Sequence, residues 1–295
     1  MSDTLTDPIR WPAEALWEAL APVLPGFTVE ILPEIDSSNS ELMRRFRGSP
    51  SDSGGSPGIA PRPEPLLLVA EQQSAGRGRL GRSWQSRRGD SLTFSLGLPL
   101  QPADWSGLSL VVGLSLAESL DPAAARATGQ PSIGLKWPND LWLSQPDRKL
   151  AGILVETASW EGQRYVVIGV GINIRPLQLA TAPAAPAAMA PACLQDLQPG
   201  MDAAATLLRV LPPLVQALQA FEQFGFAPFQ KRFAARDVLA GREVKLSDGS
   251  QGTAHGVAEN GALLVHTAAG MQVITSAEVS VRPVTATSPK DTPSC

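Results

Sequence analysis

The sequence predicts an α+β protein with a small β-barrel appended at its C-terminal end. Three observations carry that prediction. Up to about residue 235, segments with apolar residues at helical spacing are interspersed with short leucine-rich or β-branched runs, the texture of an α+β domain. After residue 236 the texture changes to short alternating segments: Val244-Lys245-Leu246, Leu263-Leu264-Val265 and Val279-Ser280-Val281. Turn pairs at Asp248-Gly249, Asn260-Gly261 and Ala269-Gly270 separate them, so four or five strands in under about fifty residues fit a small barrel. Finally, 295 residues with 43% hydrophobic and 18% charged side chains are enough for one large core plus one small one, and exclude a mostly disordered chain.

The elements follow in order. Trp11, Ala15, Leu16 and Leu20 mark a helix over 11–21, ended by Pro22 and Pro25. Phe27 to Leu32 alternates as a strand. Asp36-Ser37-Ser38-Asn39 then supplies helix-start residues before Glu41 to Phe46. Residues 48–65, rich in Ser, Gly and Pro, read as a flexible loop. Leu66 to Ala70 is a buried strand, Leu92 to Leu98 another, and Trp105 to Leu120 an amphipathic helix. Leu135 to Leu143, Leu150 to Glu156 and Tyr165 to Ile174 add three short strands. An Ala/Pro-rich loop covers 180–192. Helical periodicity returns over 203–224 through Leu207, Leu211, Leu214, Leu218 and Phe221, with Pro212 and Pro213 interrupting it.

Composition narrows the function classes. With 24 Lys+Arg against 28 Asp+Glu, the net charge of −4 argues against a general nucleic-acid binder. Two cysteines, Cys193 and Cys295, have no ligand-like spacing and exclude a disulfide-stapled scaffold. The N-terminus lacks a basic segment followed by an apolar one, and the apolar stretch Leu108–Leu120 is too short and polar to span a bilayer. A cytoplasmic protein without membrane association is expected.

Chemistry concentrates in three segments. The densest is Glu71-Gln72-Gln73-Ser74-Ala75-Gly76-Arg77-Gly78-Arg79-Leu80-Gly81-Arg82-Ser83-Trp84. Its glycines leave backbone open to a bound group, and its arginines offer planar forks for phosphate or carboxylate. Between Glu71 and Asp90 five arginines face two acids, a local reversal of the overall sign. Residues 76–81 spell G-x-G-x-x-G, but a strand rather than a helix follows, so the dinucleotide fingerprint is rejected. The second segment runs Lys136-Trp137-Pro138-Asn139-Asp140, then Arg148-Lys149-Leu150-Ala151-Gly152-Ile153-Leu154. Lys149, before a strand whose Gly152 admits a ligand, suits a point charge for carboxylate or phosphate. Asp140 has three open roles at this point: holding Mg²⁺, accepting a proton from an amine, or capping the turn. The third is Gly169-Val170-Gly171-Ile172-Asn173, whose glycines suggest a bulge or a close ligand. His255 and His266 fall in the barrel region and read as ordinary strand or turn residues.

Taken together, these segments resemble the biotin–protein ligases. Residues 71–84 look like the family's Gly/Arg-rich biotin and adenylate loop, and the second and third segments look like its other hallmarks. Asp36-Ser37-Ser38-Asn39 is similar to its D-S-T-N start, with Ser38 in the Thr position. The resemblance runs from about residue 28 to 283. It implies a mixed-sheet catalytic domain of the biotin/lipoate ligase type over 1–235, with flexible loops near 48–65 and 176–200. An SH3-like domain over 236–284 and a disordered tail over 285–295 would follow. It further implies ATP-dependent formation of biotinyl-5′-AMP, then transfer of biotin to a lysine of a carboxylase's acceptor domain.

The same resemblance assigns roles. Arg79, Lys149 and Asp140 would be catalytic. Ser37, Ser38, Asn39, Gln73, Gly76, Arg77, Gly78, Arg79, Lys149 and Gly152 would bind biotin. Arg79, Arg82, Trp84, Lys136, Asn139 and Asn173 would bind ATP or the adenylate, with Trp84 stacking on adenine. Mg²⁺ would arrive with ATP, its protein ligands unassigned. With only about thirty-five residues before Ser37, no DNA-binding module and no specific DNA binding are expected. A monomer and a homodimer both fit. The rivals are a lipoate–protein ligase of the same fold and a non-catalytic nucleotide- or anion-binding regulator.

Overall fold

The computed structural model describes residues 8–47, 63–122, 131–144, 147–176, 191–275 and 281–283. The loop expected over 48–65 lies almost wholly outside these residues, as do most of the 176–200 loop and the 285–295 tail.

A seven-stranded sheet forms the larger unit, in the order β1 (Thr28–Ile35), β2 (Leu66–Gln73), β3 (Ser91–Pro99), β7 (Gln163–Asn173), β6 (Arg148–Trp160), β5 (Asp140–Leu143), β4 (Ile133–Lys136). Only β1 and β2 run parallel; the other neighbours are antiparallel, giving the mixed sheet expected. The run read as one strand over 135–143 is two, folded at Trp137–Asn139 into a hairpin. β6 and β7 are not short. They pair from Ala151↔Ile172 to Trp160↔Gln163 and form the backbone of the sheet.

The strands alternate, and the two faces differ in kind. Leu92, Phe94, Leu96 and Leu98 of β3 and Val166, Ile168, Val170 and Ile172 of β7 point into the main core. That core is covered by α1 (Ala13–Leu20), α3 (Leu108–Leu120) and α4 (Ala203–Phe224). The opposite face carries Thr93, Ser95 and Gly97 on β3, Gly169 and Gly171 on β7, and Gly152 on β6. There α2 (Ser38–Arg47) packs Leu42, Met43 and Phe46 on Leu68, Ala158, Tyr165 and Val167. A Cβ on Gly97 would collide with the Phe46 ring, so that glycine sets how closely α2 approaches.

Two helices depart from expectation. α3 is not amphipathic: ten of its thirteen residues are buried, because the sheet lies on one side of it and α4 on the other. α4 runs unbroken through Pro212 and Pro213. Each interior proline costs about 3 kcal/mol. Seven buried Leu, Val and Phe side chains each contribute roughly 2 kcal/mol. Packing wins, and both Leu208 and Arg209, whose carbonyls lose their amide donors, are on the exposed side. By length and composition α4 is apolar enough to cross a membrane, but here it is the core helix packed on α3 and α1.

The smaller unit is a five-stranded antiparallel sheet, in the order β11 (Gly270–Ile274), β10 (Leu263–Thr267), β9 (Gln251–Val257), β8 (Glu243–Leu246), β12 (Val281–Pro283). Its turns fall at the expected pairs. Among the described residues no pairing joins β11 to β12, so the sheet stays open there. A short helix, α5 (Gln230–Ala234), leads into it.

The junction is not a loose linker. Residues 236–238 lie along β4, with Leu135 N donating to Arg236 O at 2.7 Å and Val238 N to Leu135 O at 3.1 Å. They cover an edge that would otherwise be unpaired. The buried Arg236 guanidinium donates to Ile133 O and Asp121 O, and Trp137 Nε1 donates to Gly261 O at 3.0 Å.

Candidate functional site

The glycine-bearing face of the sheet is the floor of a cavity of about 580 Å³. Its position follows from register: Thr93 faces Gly171, Gly171 faces Gly152, Gly152 faces Asp140, and Asp140 faces Lys136. Side chains too small to fill the space thus line up across β3, β7 and β6, and the result is a trough running across the sheet toward Asp140 and Lys136. α2 bounds one end. The β4–β5 hairpin and the C-terminal unit bound the other.

The α2 end is polar and neutral. Ser37, Ser38 and Asn39 are buried at the helix start. Gln73 Oε1 accepts from Ser38 N at 2.8 Å and from Ser38 Oγ at 3.2 Å. Ser95 Oγ lies 2.8 Å from Ser38 Oγ and 2.6 Å from Asn39 Oδ1. Asn39 Nδ2 donates to Leu154 O at 3.2 Å and to Glu156 Oε2 at 3.0 Å. The Asn39 amide is therefore committed to the protein, and it sits so close over Gly169 that a Cβ there would collide with it.

The opposite end is cationic. Lys149 Nζ pairs with Asp140 Oδ1 at 2.8 Å, Lys136 Nζ stands 5.1 Å from the Trp142 ring centre, and Arg79 and Arg82 reach in from above. Asp140 thus holds the lysine rather than merely capping the turn. Asn139 ties the hairpin to β6 by donating Nδ2 to Ile153 O at 2.8 Å, and its Oδ1 accepts from Arg79 Nη1 at 3.4 Å. Burial pulls the Arg79 guanidinium below the usual arginine range; the field of Asp140 opposes that shift and repulsion from Arg82 adds to it.

The Gly/Arg segment roofs the trough. It folds back on itself as an irregular hairpin, with Gly78 N donating to Arg82 O at 2.7 Å and Trp84 N to Gly76 O at 2.8 Å. A Cβ on Gly76 would strike the Trp84 carbonyl, so Gly76 shapes the loop without lining the cavity. At the tip Leu80 holds φ of 55° and is exposed. No helix follows, which agrees with rejection of the dinucleotide fingerprint. Trp84 lies against Gly171 and Gly152, its ring centre 5.7 Å from Lys149 Nζ. Its buried indole N–H has no hydrogen-bond partner among the described residues.

Most of the expected site residues converge. Ser37, Ser38, Asn39, Gln73, Arg77, Gly78, Arg79, Arg82, Trp84, Lys136, Asn139, Asp140, Lys149 and Gly152 line the cavity. Asn173 does not. Its Nδ2 donates to Ala192 O at 3.0 Å and Lys149 O at 3.4 Å, a position that ties the chain after 190 to β6.

Several residues escaped the sequence reading. Thr93 and Ser95 left a signal, since they alternate with Leu92, Phe94 and Leu96 in a strand whose polar positions have no solvent to face. Trp142, Asp147 and Arg242 also line the cavity, with Arg242 ion-paired to Asp147. Arg242 comes from the smaller unit, and no local pattern announces it. His255 and His266 sit on β9 and β10 with ring centres 6.0 Å apart. Among the described residues no three His, Cys, Asp or Glu converge as a metal cluster.

Comparison with known proteins agrees with this geometry. Residues 58–173 match the Biotin/lipoate A/B protein ligase family, and residues 240–282 match the Biotin protein ligase C terminal domain. The chain is 35% identical over 265 residues to the Bifunctional ligase/repressor BirA of Escherichia coli (strain K12), covering 88% of this chain and 75% of that protein. It is 32% identical over 262 residues to the Biotin--[acetyl-CoA-carboxylase] ligase of Paracoccus denitrificans, covering 84% and 98% respectively. The structure of a biotin protein ligase from Aquifex aeolicus in complex with biotin and ATP is similar with a TM-score of 0.65 at 29% identity, covering 87% of this chain and 99% of that one.

Proposed function

The chain belongs to the biotin–protein ligase family, and from that premise we propose that it activates biotin with ATP and transfers it to a lysine of the acceptor domain of acetyl-CoA carboxylase. One observation carries the reading: a neutral, hydrogen-bonding end and a cationic end joined by a glycine floor within one trough. A urea-like ring with a carboxylate on a chain has that polarity. The dithiolane of a lipoyl group lacks the amide-type donors and acceptors that Ser38 and Gln73 would meet, so the same observation disfavours lipoate.

The reaction proceeds in two displacements. A biotin carboxylate oxygen bonds to the α-phosphorus as the bond to pyrophosphate breaks. The acceptor lysine's amine then bonds to the acyl carbon, loses its proton, and AMP leaves. The first step brings two anions together, and preorganised cations lower its barrier. Lys149, oriented by Asp140, would meet the carboxylate and α-phosphate, with Arg79 and Arg82 above them. Ser37, Ser38 and Gln73 would bond the ureido ring, which leaves them costly to satisfy with any ring lacking those groups. Lys136, Asn139 and Trp84 would take the nucleotide. The Gly/Arg hairpin over the trough would exclude water from the anhydride.

Mg²⁺ enters as part of the MgATP substrate. The carboxylates among the lining residues are Asp140 and Asp147, each paired with a cation, which fits an ion carried by phosphate oxygens rather than a protein-built cage. Its contribution is charge neutralisation on the phosphates. We place the reaction in the cytoplasm, where ATP is available. The test is mass spectrometry of a carboxylase acceptor domain after incubation with this protein, biotin and MgATP. One biotinyl adduct on the acceptor lysine is expected. An unmodified acceptor, where a known ligase modifies it, would overturn the reading.

A further inference from the structure

Glu156 stands on β6 behind the neutral end of the trough and has no part in the mechanism above. Its Oε1 accepts from Arg77 Nη2 at 2.9 Å, and its Oε2 accepts from Asn39 Nδ2 at 3.0 Å. Arg77 Nη1 also donates to Ser40 Oγ at 3.0 Å. One carboxylate therefore joins three pieces: the central sheet, the start of α2 and the Gly/Arg hairpin. The arrangement has a chemical consequence. Of the arginines that line the cavity, Arg77 is the one bonded to α2, through Ser40, and without Glu156 that end would carry a positive charge beside Ser38 and Gln73.

We propose that Glu156 is a positioning and specificity-determining residue, which cancels the charge of Arg77 so that the α2 end of the trough admits a neutral ring and the ligand's carboxylate is directed to the Lys149 end. The inference rests on the ligase reading. Both ends of the trough are lined by arginine, and the one beside α2 has its guanidinium forked onto a carboxylate of the central sheet. The other end keeps an excess of positive charge, since Lys136, Lys149, Arg79, Arg82 and Arg242 line it against Asp140 and Asp147. Orientation of the ligand then follows from where positive charge is withheld as much as from where it is supplied. Asn39, held by the same carboxylate and by Ser95, acts through its neighbours Ser38 and Gly169 rather than on the ligand.

The test compares wild type, Glu156→Gln and the double variant Arg77→Gln/Glu156→Gln in biotin-dependent pyrophosphate release, with inorganic phosphate as the anion probe and chloride matching ionic strength. Glu156→Gln leaves the Arg77 charge uncompensated. Phosphate should then compete with biotin at least about tenfold more tightly than in wild type. The double variant is neutral again, so phosphate should compete no better than in wild type. A purely structural ion pair would instead lower the melting temperature in both variants and leave phosphate competition unchanged. Unchanged competition in Glu156→Gln overturns the inference. Should that variant fail to fold, the double variant decides: phosphate that competes with biotin more tightly than in wild type, with the Arg77 charge removed, overturns it. Wild type that releases no biotin-dependent pyrophosphate overturns the ligase reading and this inference with it, whereas normal wild-type turnover confines any failure to Glu156.

Discussion

Lys149 and Asp140 stand 2.8 Å apart on neighbouring strands, with the lysine side chain 40% exposed. An ion pair that open is worth about 1 kcal/mol or less to the fold. Its value to a reaction between two anions is much larger. Lys149→Ala should therefore abolish biotin-dependent pyrophosphate release, a fall of about 10²-fold or more, while the melting temperature moves little. Near-normal turnover would remove its assigned role. Arg79 is more buried, and its guanidinium meets Asn139 across the trough. In Arg79→Ala the hairpin loses that tether, and biotinyl-AMP should dissociate faster; an unaltered off-rate in a stopped-flow displacement assay would reject the idea. At this scale the sequence was informative about residue type and poor about engagement. It named Asn39 and Asn173 as ligand-binding residues, but only coordinates reveal that the Asn39 amide is spent on Ser95, Leu154 and Glu156 and the Asn173 Nδ2 on Ala192 and Lys149.

Glycine placement is a property of the strands rather than of single residues, and two substitutions separate its uses. A Cβ on Gly171 would strike the Trp84 indole, which belongs to the Gly/Arg hairpin rather than to the sheet or a helix. Gly171→Ala should leave the melting temperature nearly unchanged and weaken adenylate retention. A Cβ on Gly97 would strike Phe46, held between α2 and the sheet beside Tyr165. Gly97→Ala should cost about 1–3 kcal/mol of stability with activity per folded molecule preserved. Equal effects of the two on stability, read by denaturant unfolding, would contradict this division of the sheet. Helices were legible where one face is apolar. They were misread where tertiary cover decides, as with α3, which is enclosed on both sides, and α4, whose prolines are tolerated on its solvent side.

At the scale of the whole molecule, the two units meet along residues 236–238. Asp237 sits in that seam with Oδ1 accepting from Leu239 N at 2.9 Å and with Oδ2 buried and unpartnered among the described residues. Burial pushes its carboxyl up to about 6 from an ordinary 3.8, against the lowering effect of the Leu239 and Ala240 amides. Between those values the folded chain holds a proton that the unfolded chain has lost. Stability contributed by this group is thus lost as pH rises from about 4 to 6. Asp237→Asn should consequently raise the melting temperature at pH 7.5, by an amount corresponding to about 1–3 kcal/mol, with the difference fading toward pH 4. A pH-independent difference between the two proteins would show that the seam is not strained by charge.

What the sequence alone determined is the set of chemical parts and their order along the chain: the Gly/Arg segment, the Lys-Trp-Pro-Asn-Asp turn, the glycine-bearing strand and the β-rich end. These are legible because turn chemistry, strand alternation and charge clustering are local. Tertiary structure alone decided which parts share a cavity and which sign of charge each end carries. Register aligned Thr93, Gly171, Gly152 and Asp140 into one floor. Packing of the second unit brought Arg242 to the same cavity, and long-range pairing cancelled Arg77 with Glu156, 79 residues away. Net charge near the site depends on distances between side chains remote in sequence, and pattern along the chain does not encode those distances.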